Sequence, residues 1–424
     1  MEILDFLKDK HNCCGCGSCV QACPKKCLEM LEDKEGFYYP HKNSQKCIDC
    51  GLCEKVCPIK QKNSKCEAKD IFAVKNEIDA ERINSSSGGF FICLAKFVLT
   101  QKGVVFGAVF DANYEVHHAV AKSMEELSGM QGSKYVQSRI ENTYNDALSY
   151  LKEGRLVLFT GTPCQIKGLH AFLKNKQYPN LLTMDFLCHG VPSPGVWRRY
   201  LSESFDELNK RLLTDDSSKN VVGYSVNTAF HAYDIKFRDK QISGWKKYHF
   251  VIRRKSSSRA TKNTIELSSI YYDNPFMKGF LSNIYLRPSC YECKCKNGES
   301  QSDITIGDYW GVKEVDRELD DDKGLSIVMI NTDKGKQFFR SLSNIFYQKI
   351  SLEHAMMLNG GFSEHTQCHS KRDKFYRMLK TGKTIEFSVD ACMKRSIIGK
   401  IIDRCLKLTK KHLDKKMNYL LNKI

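Results

Sequence analysis

Two cysteine runs near the start of the chain constrain its fold more than any other feature. The first run has the spacing C-x2-C-x2-C-x3-C-P and comprises Cys13, Cys16, Cys19, Cys23 and Pro24. The second run repeats that spacing and comprises Cys47, Cys50, Cys53, Cys57 and Pro58. Eleven of the 20 cysteines precede residue 67 in a chain of 424 residues. This composition predicts a small cysteine-rich domain over residues 1–67, whose thiols bind metal or carry out redox chemistry.

Both runs resemble those of bacterial ferredoxins that hold two 4Fe–4S clusters. The short spacings let three thiolates wrap one face of an iron–sulfur cube, while the fourth cysteine reaches across to the other cube. The first cluster is therefore assigned to Cys13, Cys16, Cys19 and Cys57. The second cluster is assigned to Cys23, Cys47, Cys50 and Cys53. Two zinc knuckles are the alternative, since zinc also binds four thiolates, but two repeated runs with trailing prolines favour clusters.

The remaining composition is that of a globular protein, with 42% hydrophobic and 27% charged residues. No apolar run reaches the ~18 residues that a membrane span needs, and residues 1–10 lack the apolar stretch of a signal peptide. We therefore expect a cytoplasmic protein whose cysteines are reduced rather than paired in disulfides. The net charge of +17 raises nucleic-acid binding as a function, but the chain contains no recognisable nucleic-acid module.

Beyond a polar linker at residues 61–69, the hydrophobic pattern alternates between strands and helices. The predicted elements are strands at 71–74, 104–110, 156–159 and 181–187, and helices at 90–99 and 163–175. Shorter period-2 stretches between residues 220 and 252 predict an antiparallel sheet, and residues 253–264 predict a basic, serine-rich loop. Together these patterns predict an α+β (mixed α/β) fold, in which an N-terminal ferredoxin-like domain precedes an α/β body.

Two segments of the body have the features of a cofactor site at the start of a predicted helix. Residues 84–90 (NSSSGGF) open a helix with small residues, so its exposed backbone N–H groups could bind a phosphate. A plainly capped helix is the alternative for this segment. In the second segment, Thr162 and Pro163 are predicted to begin a helix, which places Cys164 in the first turn, where a thiolate is favoured.

Four cysteines of the body are candidates for a further thiolate site. Cys164 and Cys188 both follow predicted strands, at the edge where open α/β sheets build their sites. A C-x2-C pair at Cys290 and Cys293 could complete a set of four thiolates, with Cys295 as an additional thiol. Four unrelated cysteines are the alternative, and the spacing leaves both interpretations open.

From about residue 85 to residue 347 the chain resembles the beta-subunit family of coenzyme F420 hydrogenases and dehydrogenases. Six motifs in order carry the resemblance: SGG at 87–89, GSKYVQS at 132–138, GTPCQIKGL at 161–169, FLCHGVPS at 186–193, CYEC at 290–293 and SDITIGDYWG at 302–311. The resemblance implies FAD, with an iron–sulfur cluster close to the flavin. It also implies relatives in bacteria that carry an N-terminal ferredoxin, often beside polysaccharide-synthesis genes.

The family pattern can be transferred to particular residues of this chain. It implies a third 4Fe–4S cluster held by Cys164, Cys188, Cys290 and Cys293, with Cys295 as a substitute ligand. The implied flavin contacts are Ser87, Gly88, Gly89, Ser133, Lys134, Tyr135, Gln137, Thr160 and Thr162. The implied domains are a two-cluster domain at 1–67, a flavin-binding part at 68–200, a part completing the cluster and flavin site at 201–385, and a basic C-terminal helix at 386–424.

These observations predict an iron–sulfur flavoprotein oxidoreductase. Electrons would pass singly through the clusters to FAD and then as hydride to an organic acceptor, or in the reverse direction. A non-catalytic subunit that serves a partner oxidoreductase is the alternative, so a redox partner, either a protein or a small molecule, is expected. No catalytic acid is assigned, and His189 is interpreted as a structural hydrogen-bond partner rather than a proton donor. Family resemblance does not carry substrate identity, so the deazaflavin is not predicted as the substrate.

The last residues of the chain combine charge with helical periodicity. Residues 394–424 contain ten Lys or Arg and two Asp, so they contribute +8 of the net +17. Apolar residues recur at helical spacing in this segment and predict a basic amphipathic helix. Docking on the chain's own domain or at an oligomer interface is one interpretation, and reversible contact with an anionic membrane face is the other. Because three clusters would add further negative charge to the rest of the chain, nucleic-acid binding is not expected.

Overall fold

The structure, a computed structural model, describes residues 2–4, 7–61, 65–214, 233–254 and 264–394. Most of the basic loop predicted at 253–264 lies outside these ranges, as does the predicted C-terminal helix from residue 395 onward. Within the described ranges, no helix is both long enough and apolar enough to cross a membrane.

The N-terminal domain is a small antiparallel sheet with one short helix inside each cysteine run. Its elements are strands β1 (Glu2–Ile3), β2 (Leu28–Glu32) and β3 (Tyr38–Lys42), helices α1 (Ser18–Ala22) and α2 (Leu52–Lys55), and a 3-10 helix (Lys10–Asn12). The strand order is β1-β3-β2. Each α-helix begins after a glycine in the left-handed region, Gly17 with φ 72° and Gly51 with φ 68°. Glycine adopts this conformation without a steric cost, which explains its repeated place between the second and third cysteines of each run.

An eight-stranded mixed sheet forms the centre of the body. Its strands are β4 (Asp70–Asn76), β5 (Val104–Phe110), β6 (Val116–Ala121), β7 (Val157–Thr160), β8 (Leu181–Phe186), β12 (Ile304–Asp308), β13 (Ser326–Ile330) and β14 (Ile345–Lys349). They lie in the order β14-β4-β13-β12-β8-β7-β5-β6. The four strands β12, β8, β7 and β5 run parallel, and the outer strands are antiparallel to their neighbours.

A second sheet and the helices complete the body. The sheet is antiparallel, as predicted from the period-2 pattern, and contains β9 (Tyr233–Asp239), β10 (His249–Arg254) and β11 (Thr264–Ile270). The α-helices of the body are α3 (Asp79–Asn84), α4 (Phe90–Thr100), α5 (Met124–Ser128), α6 (Thr143–Lys152), α7 (Pro163–Phe172), α8 (Pro194–Thr214), α9 (Pro275–Leu281), α10 (Val312–Val315), α11 (Asp333–Arg340), α12 (Leu352–Met356), α13 (Arg372–Lys380) and α14 (Ile385–Met393). Two 3-10 helices span Pro288–Glu292 and Arg317–Leu319.

Helices cover both faces of the central sheet, because its parallel strands are apolar on both sides. In β5, Val104 and Phe106 belong to the core that contains the apolar side chains of α6 and α7. The intervening Val105 belongs to the opposite core, which contains the side chains of α4. This alternation follows from the two-residue period of a strand.

Residues on both sides of position 200 build the same part of the body. Strands β4–β8 precede that position and β12–β14 follow it, yet all eight lie in one sheet. Helix α8 also runs through the position, and its Trp197 and Leu201 lie in one core with Phe237. The pairing of β8 with β12 joins segments more than a hundred residues apart, and a local hydrophobic pattern gives no signal for such a pair.

The N-terminal domain packs directly on the body. The hydroxyl of Ser18 donates a 2.8 Å hydrogen bond to the carbonyl oxygen of Gly168 in α7. At the opposite side, Arg372 donates two hydrogen bonds to the carboxylate of Glu35, at 2.7 and 2.5 Å. A forked pair of this kind fixes orientation as well as distance, so the cysteine runs are held in a defined position against the body.

Candidate functional site

The eight cysteines of the two runs form two separate groups. One cavity, which we call the cluster I site, is lined by Cys13, Cys16, Cys19 and Cys57. A second cavity of about 240 Å³, the cluster II site, is lined by Cys23, Cys47, Cys50 and Cys53. In each site, three cysteines of one run meet the fourth cysteine of the other, which is the grouping that the spacing predicts.

The two sites differ in their exposure to solvent. Cys13, Cys16 and Cys57 are buried in the cluster I site, whereas Cys50 of the cluster II site is exposed. Burial raises the pKa of the Cys57 thiol to about 12. A thiol in such surroundings becomes a thiolate only when a positive centre compensates for the lost hydration, as an iron–sulfur core does.

The backbone around the cluster I site fits a 4Fe–4S cluster. A Cβ atom on Gly15 would lie 2.5 Å from Nε2 of Gln137 and 2.9 Å from Cζ of Arg287, so a larger residue has no room there. Gly15 also lines the cluster I site, where its backbone N–H is available to cluster sulfur. Within the described ranges, no three or more His, Cys, Asp or Glu side chains are arranged to hold a single metal ion.

The four candidate cysteines of the body line a third cavity, which we call the third thiol site. Cys164 lies in the first turn of α7, whose N-cap Thr162 and Gln165 form a capping box. Cys188 follows β8, while Cys290 lies in the 3-10 helix at Pro288–Glu292. The cavity is lined by Cys14, Cys164, Cys188, Cys290, Cys293 and Cys295 among others.

Hydrogen bonds distinguish the thiols of the third site. The hydroxyl of Thr162 lies 3.1 Å from Sγ of Cys164, and the backbone N–H of Val191 donates to Sγ of Cys290 at 3.4 Å. A hydrogen bond with Cys295 lowers the pKa of Cys293 to about 6. Cys293 and the buried Cys295 are thus direct neighbours in this site.

Sequence reasoning left Cys14 without a role, although it lies between two of these sites. It lines both the cluster I site and the third thiol site. Hydrogen-bond contact with Cys16 and then with Cys164 raises the pKa of its thiol well above the usual value. The adjacent cysteines at residues 13 and 14 could have indicated this position. Two neighbouring side chains in extended backbone point to opposite sides, so Cys14 can face a second site while Cys13 faces the first.

A larger cavity of about 540 Å³ opens at the carboxyl edge of the parallel strands, and we call it the sheet-edge cavity. This volume lies within the range of roughly 300–1,000 Å³ that is usual for cofactor sites. Seven of the nine candidate flavin contacts line it: Ser87, Gly89, Ser133, Lys134, Tyr135, Thr160 and Thr162. Open α/β sheets bind ligands at this edge.

The start of one helix lines the sheet-edge cavity, through Gly89, Phe90 and Phe91. Helix α4 begins after Gly89, which has φ 87° and gives the helix no side-chain cap. The preceding turn is held by the backbone N–H of Ser133, which donates to Oγ of Ser86 at 2.7 Å. An uncapped helix N-terminus beside a serine-rich turn favours a phosphate or another anion.

Lys134 provides a positive charge in the wall of the sheet-edge cavity. Its ammonium group donates to the carbonyl oxygens of Gly132 and Gln131, at 3.1 and 3.5 Å. Burial lowers the pKa of Lys134 to about 8. A bound anion would replace the lost hydration and raise that pKa again.

Two candidate flavin contacts lie elsewhere. The amide of Gln137 donates to the carbonyl oxygen of Cys14 at 3.1 Å and accepts from Arg287 at 2.9 Å, so Gln137 joins the body to the cluster I site. Gly88 is enclosed by the sheet and donates its N–H to Oγ of Ser326 at 2.9 Å. Both are neighbours of cavity residues, and a motif alone does not tell which way a side chain points.

The sequence analysis missed a buried ion pair in the cavity wall. Nη1 of Arg238 donates to Oδ2 of Asp308 at 2.6 Å, and the guanidinium lies over the rings of Tyr248 and Trp310. Asp308 and Trp310 belong to the SDITIGDYWG motif. The motif therefore supplies the acidic and aromatic partners of Arg238 in the cavity wall. No local sequence pattern around Arg238 indicates that it lies there.

The sites lie in a row through the molecule. Helices α1 and α2, which belong to the two cysteine runs, pack against each other. Cys14 and Ile59 line both the cluster I site and the third thiol site. His189, Gly190 and Val191 line both the third thiol site and the sheet-edge cavity. The cluster I site, the third thiol site and the sheet-edge cavity thus share walls in sequence, and the cluster II site lies beside the cluster I site through the packing of α1 on α2.

Two segments of the chain match known protein families. Residues 154–352 match the family model for the C terminus of the beta subunit of coenzyme F420 hydrogenase/dehydrogenase. Residues 12–60 match the model of the 4Fe-4S dicluster domain. No curated protein matches the chain.

One solved structure with a similar chain is the F420-reducing [NiFe] hydrogenase complex from Methanosarcina barkeri, in a xenon-derivatised form. The two chains are 14% identical with a TM-score of 0.39, and the match covers 77% of this chain and 91% of the other. The chain is thus an iron–sulfur electron-transfer protein with a two-cluster 4Fe–4S domain, and its residues 154–352 are similar to the C terminus of the beta subunit of coenzyme F420 hydrogenases and dehydrogenases.

Proposed function

We propose that the chain is an iron–sulfur flavoprotein oxidoreductase, with FAD in the sheet-edge cavity and a third 4Fe–4S cluster in the third thiol site. The acceptor or donor at the far end is an organic molecule, for example one of a bacterial polysaccharide pathway. The observation that carries the proposal is the row of sites with shared walls, which leads from the cluster I site through the third thiol site to the sheet-edge cavity.

Flavin supplies the step between one-electron carriers and two-electron hydride chemistry. The residues of the chain have binding and orienting tasks around it. Lys134 offers a charge for a phosphate or for the N1 region of the ring, and Ser87 and Ser133 contribute the turn that faces it. His118 is held by Ser138 and by the carbonyl oxygen of Thr160, and burial lowers its pKa to about 4, so it stays neutral in the wall.

A non-catalytic electron-transfer subunit is the second candidate. It is favoured by the cluster II rim, where Cys50 is exposed and the side chain of Ile48 is 58% exposed, as expected where a protein partner docks. The two candidates differ in whether an organic substrate reoxidises the flavin without another protein.

A count of cofactors tests the proposal. We expect about twelve iron atoms per chain after anaerobic reconstitution, four for each of three clusters, together with one FAD. Chemical iron analysis and the absorption spectrum of the released flavin measure both. About eight iron atoms and no flavin would contradict the third cluster and the FAD. The chain would then be an electron-transfer protein with two clusters.

The pH dependence of flavin binding tests the role of Lys134. If FAD binds beside the protonated ammonium, the pKa of Lys134 rises on binding from its value of about 8. Affinity is then constant below about pH 8 and falls by up to about tenfold per unit above it, because free protein must take up a proton. Titration of flavin-free protein with FAD between pH 6.5 and 9.5 measures the effect. Lys134→Arg should bind with no such decline, and Lys134→Met should bind weakly throughout. A flat wild-type profile speaks against the contact.

A further inference from the structure

Arg287 is a buried cation at the junction of the N-terminal domain and the body. It belongs to the body, three residues before Cys290, and its exposed fraction is 0%. Its Nε donates to the carbonyl oxygen of Cys13 at 2.7 Å, and Nη2 donates to the carbonyl oxygen of Tyr38 at 3.0 Å. The guanidinium therefore reaches out of its own domain and into the cluster I site.

No carboxylate balances this charge among the hydrogen-bond partners in the described ranges. Those partners are two carbonyl oxygens, the amide oxygen of Gln137, and Sγ of Cys13 at 3.5 Å. Burying an unpaired ion costs several kcal/mol, so a buried guanidinium normally has an anion beside it. The thiolates of the cluster I site are the anions within reach, since Nη2 already points at one of their sulfur atoms.

The surroundings of Arg287 strengthen the interaction with this site. The guanidinium lies 4.2 Å from the ring centre of Tyr39 and 5.5 Å from that of Phe37, and both rings are buried. Water is thereby excluded on that side, and charges interact more strongly where the effective dielectric constant is low. By contrast, the lysines that line the cluster II site are the exposed Lys25, whose charge solvent and salt screen, and the half-buried Lys42, whose ammonium lies 3.5 Å from the carboxylate of Asp49.

We propose that Arg287 is the buried counter-charge of cluster I and holds its reduction potential above that of cluster II. Reduction adds one electron to the cluster and makes its net charge more negative by one. A fixed positive charge stabilises the reduced form more than the oxidised form, which raises the potential. Electrons that enter at the exposed cluster II then move downhill to cluster I, which adjoins the third thiol site through Cys14. This inference needs only the two N-terminal clusters.

Potentiometric titration of the reconstituted full chain, followed by EPR, tests the inference. Signals of cluster I are identified by their loss in Cys19→Ser. In Arg287→Gln, the midpoint potential of cluster I should fall while that of cluster II is unchanged. Arg287→Lys keeps the charge and should restore most of the wild-type potential.

Arg198→Gln is the matched control. Arg198 also joins the two domains, through Glu32 and Glu115, but its hydrogen-bond partners do not include a cluster cysteine. The inference is overturned if the cluster I potential is unchanged in Arg287→Gln. It is also overturned if both variants, Arg287→Gln and Arg198→Gln, shift the potentials of cluster I and cluster II by the same amount. If Arg287→Gln loses four iron atoms, retention of iron in Arg287→Lys supports the counter-charge, and loss in both variants overturns it.

Discussion

Replacing Cys164 with alanine is expected to remove about a third of the iron, which lowers the content from about twelve to about eight atoms per chain. The remaining two clusters and the flavin should stay in place, because Thr162 and Gln165 still cap α7 and no cysteine of the two runs changes. Electron transfer from the N-terminal clusters to the flavin should then stop, since the third thiol site lies between them.

Iron analysis and stopped-flow reduction of the flavin measure the two effects. Cys93→Ala is the matched control, because Cys93 is a half-buried thiol on α4 that lines none of the four sites. Cys293→Ala should behave like Cys164→Ala, because Cys293 is the proposed fourth ligand, whereas iron loss in Cys295→Ala alone would assign that place to its neighbour Cys295. Full iron and normal flavin reduction in Cys164→Ala would refute the third cluster.

The fold was largely predictable because its strongest signals are local. Val104–Phe110 is β5 with the predicted bounds, and Pro163 begins α7 as its cap residues predict. The strand Thr264–Ile270 was missed, since it follows directly on a polar, basic segment and is itself largely exposed. Secondary-structure propensity and helix capping depend on a few neighbouring residues, so a single sequence is enough to predict them. A half-exposed edge strand, by contrast, has only a weak hydrophobic pattern.

The sites were predictable to a lesser extent, and the reason is again the range of the interactions. The grouping of Cys57 with the first run follows from the geometry of the cube, which spacing encodes. Gln137 and Arg287 owe their positions to the docking of two domains, through Cys13 and Cys14. Cys14 likewise meets Cys164 only because α1 packs against α7. Such contacts depend on tertiary packing and leave no periodic signal in the chain.

Gly168→Ala is expected to weaken the docking of the N-terminal domain, even though alanine is the better helix former. A Cβ on Gly168 would lie 2.9 Å from Cβ of Cys16, from Oγ of Ser18 and from the hydroxyl of Tyr144. Alanine gains about 1 kcal/mol of helix propensity over glycine in α7, whereas overpacking costs roughly 1–3 kcal/mol. The hydroxyl of Tyr144 is held by the carbonyl oxygen of Gln165, so it cannot move freely away. The clash should therefore exceed the gain, and α1 should move outward with the cluster I site.

Chemical denaturation measures the stability, and the rate of electron transfer from cluster I to the flavin measures the displacement. We expect a net loss of up to about 2 kcal/mol and slower transfer, because the gap between the cluster I site and the third thiol site widens. Gly129→Ala is the control, since a Cβ there meets its nearest neighbours at 3.6 and 3.7 Å, which is ordinary contact. That variant should be neutral in both measurements. If Gly168→Ala is as stable as Gly129→Ala and transfers electrons at the wild-type rate, the close packing of α1 on α7 is not what sets the distance between the two sites.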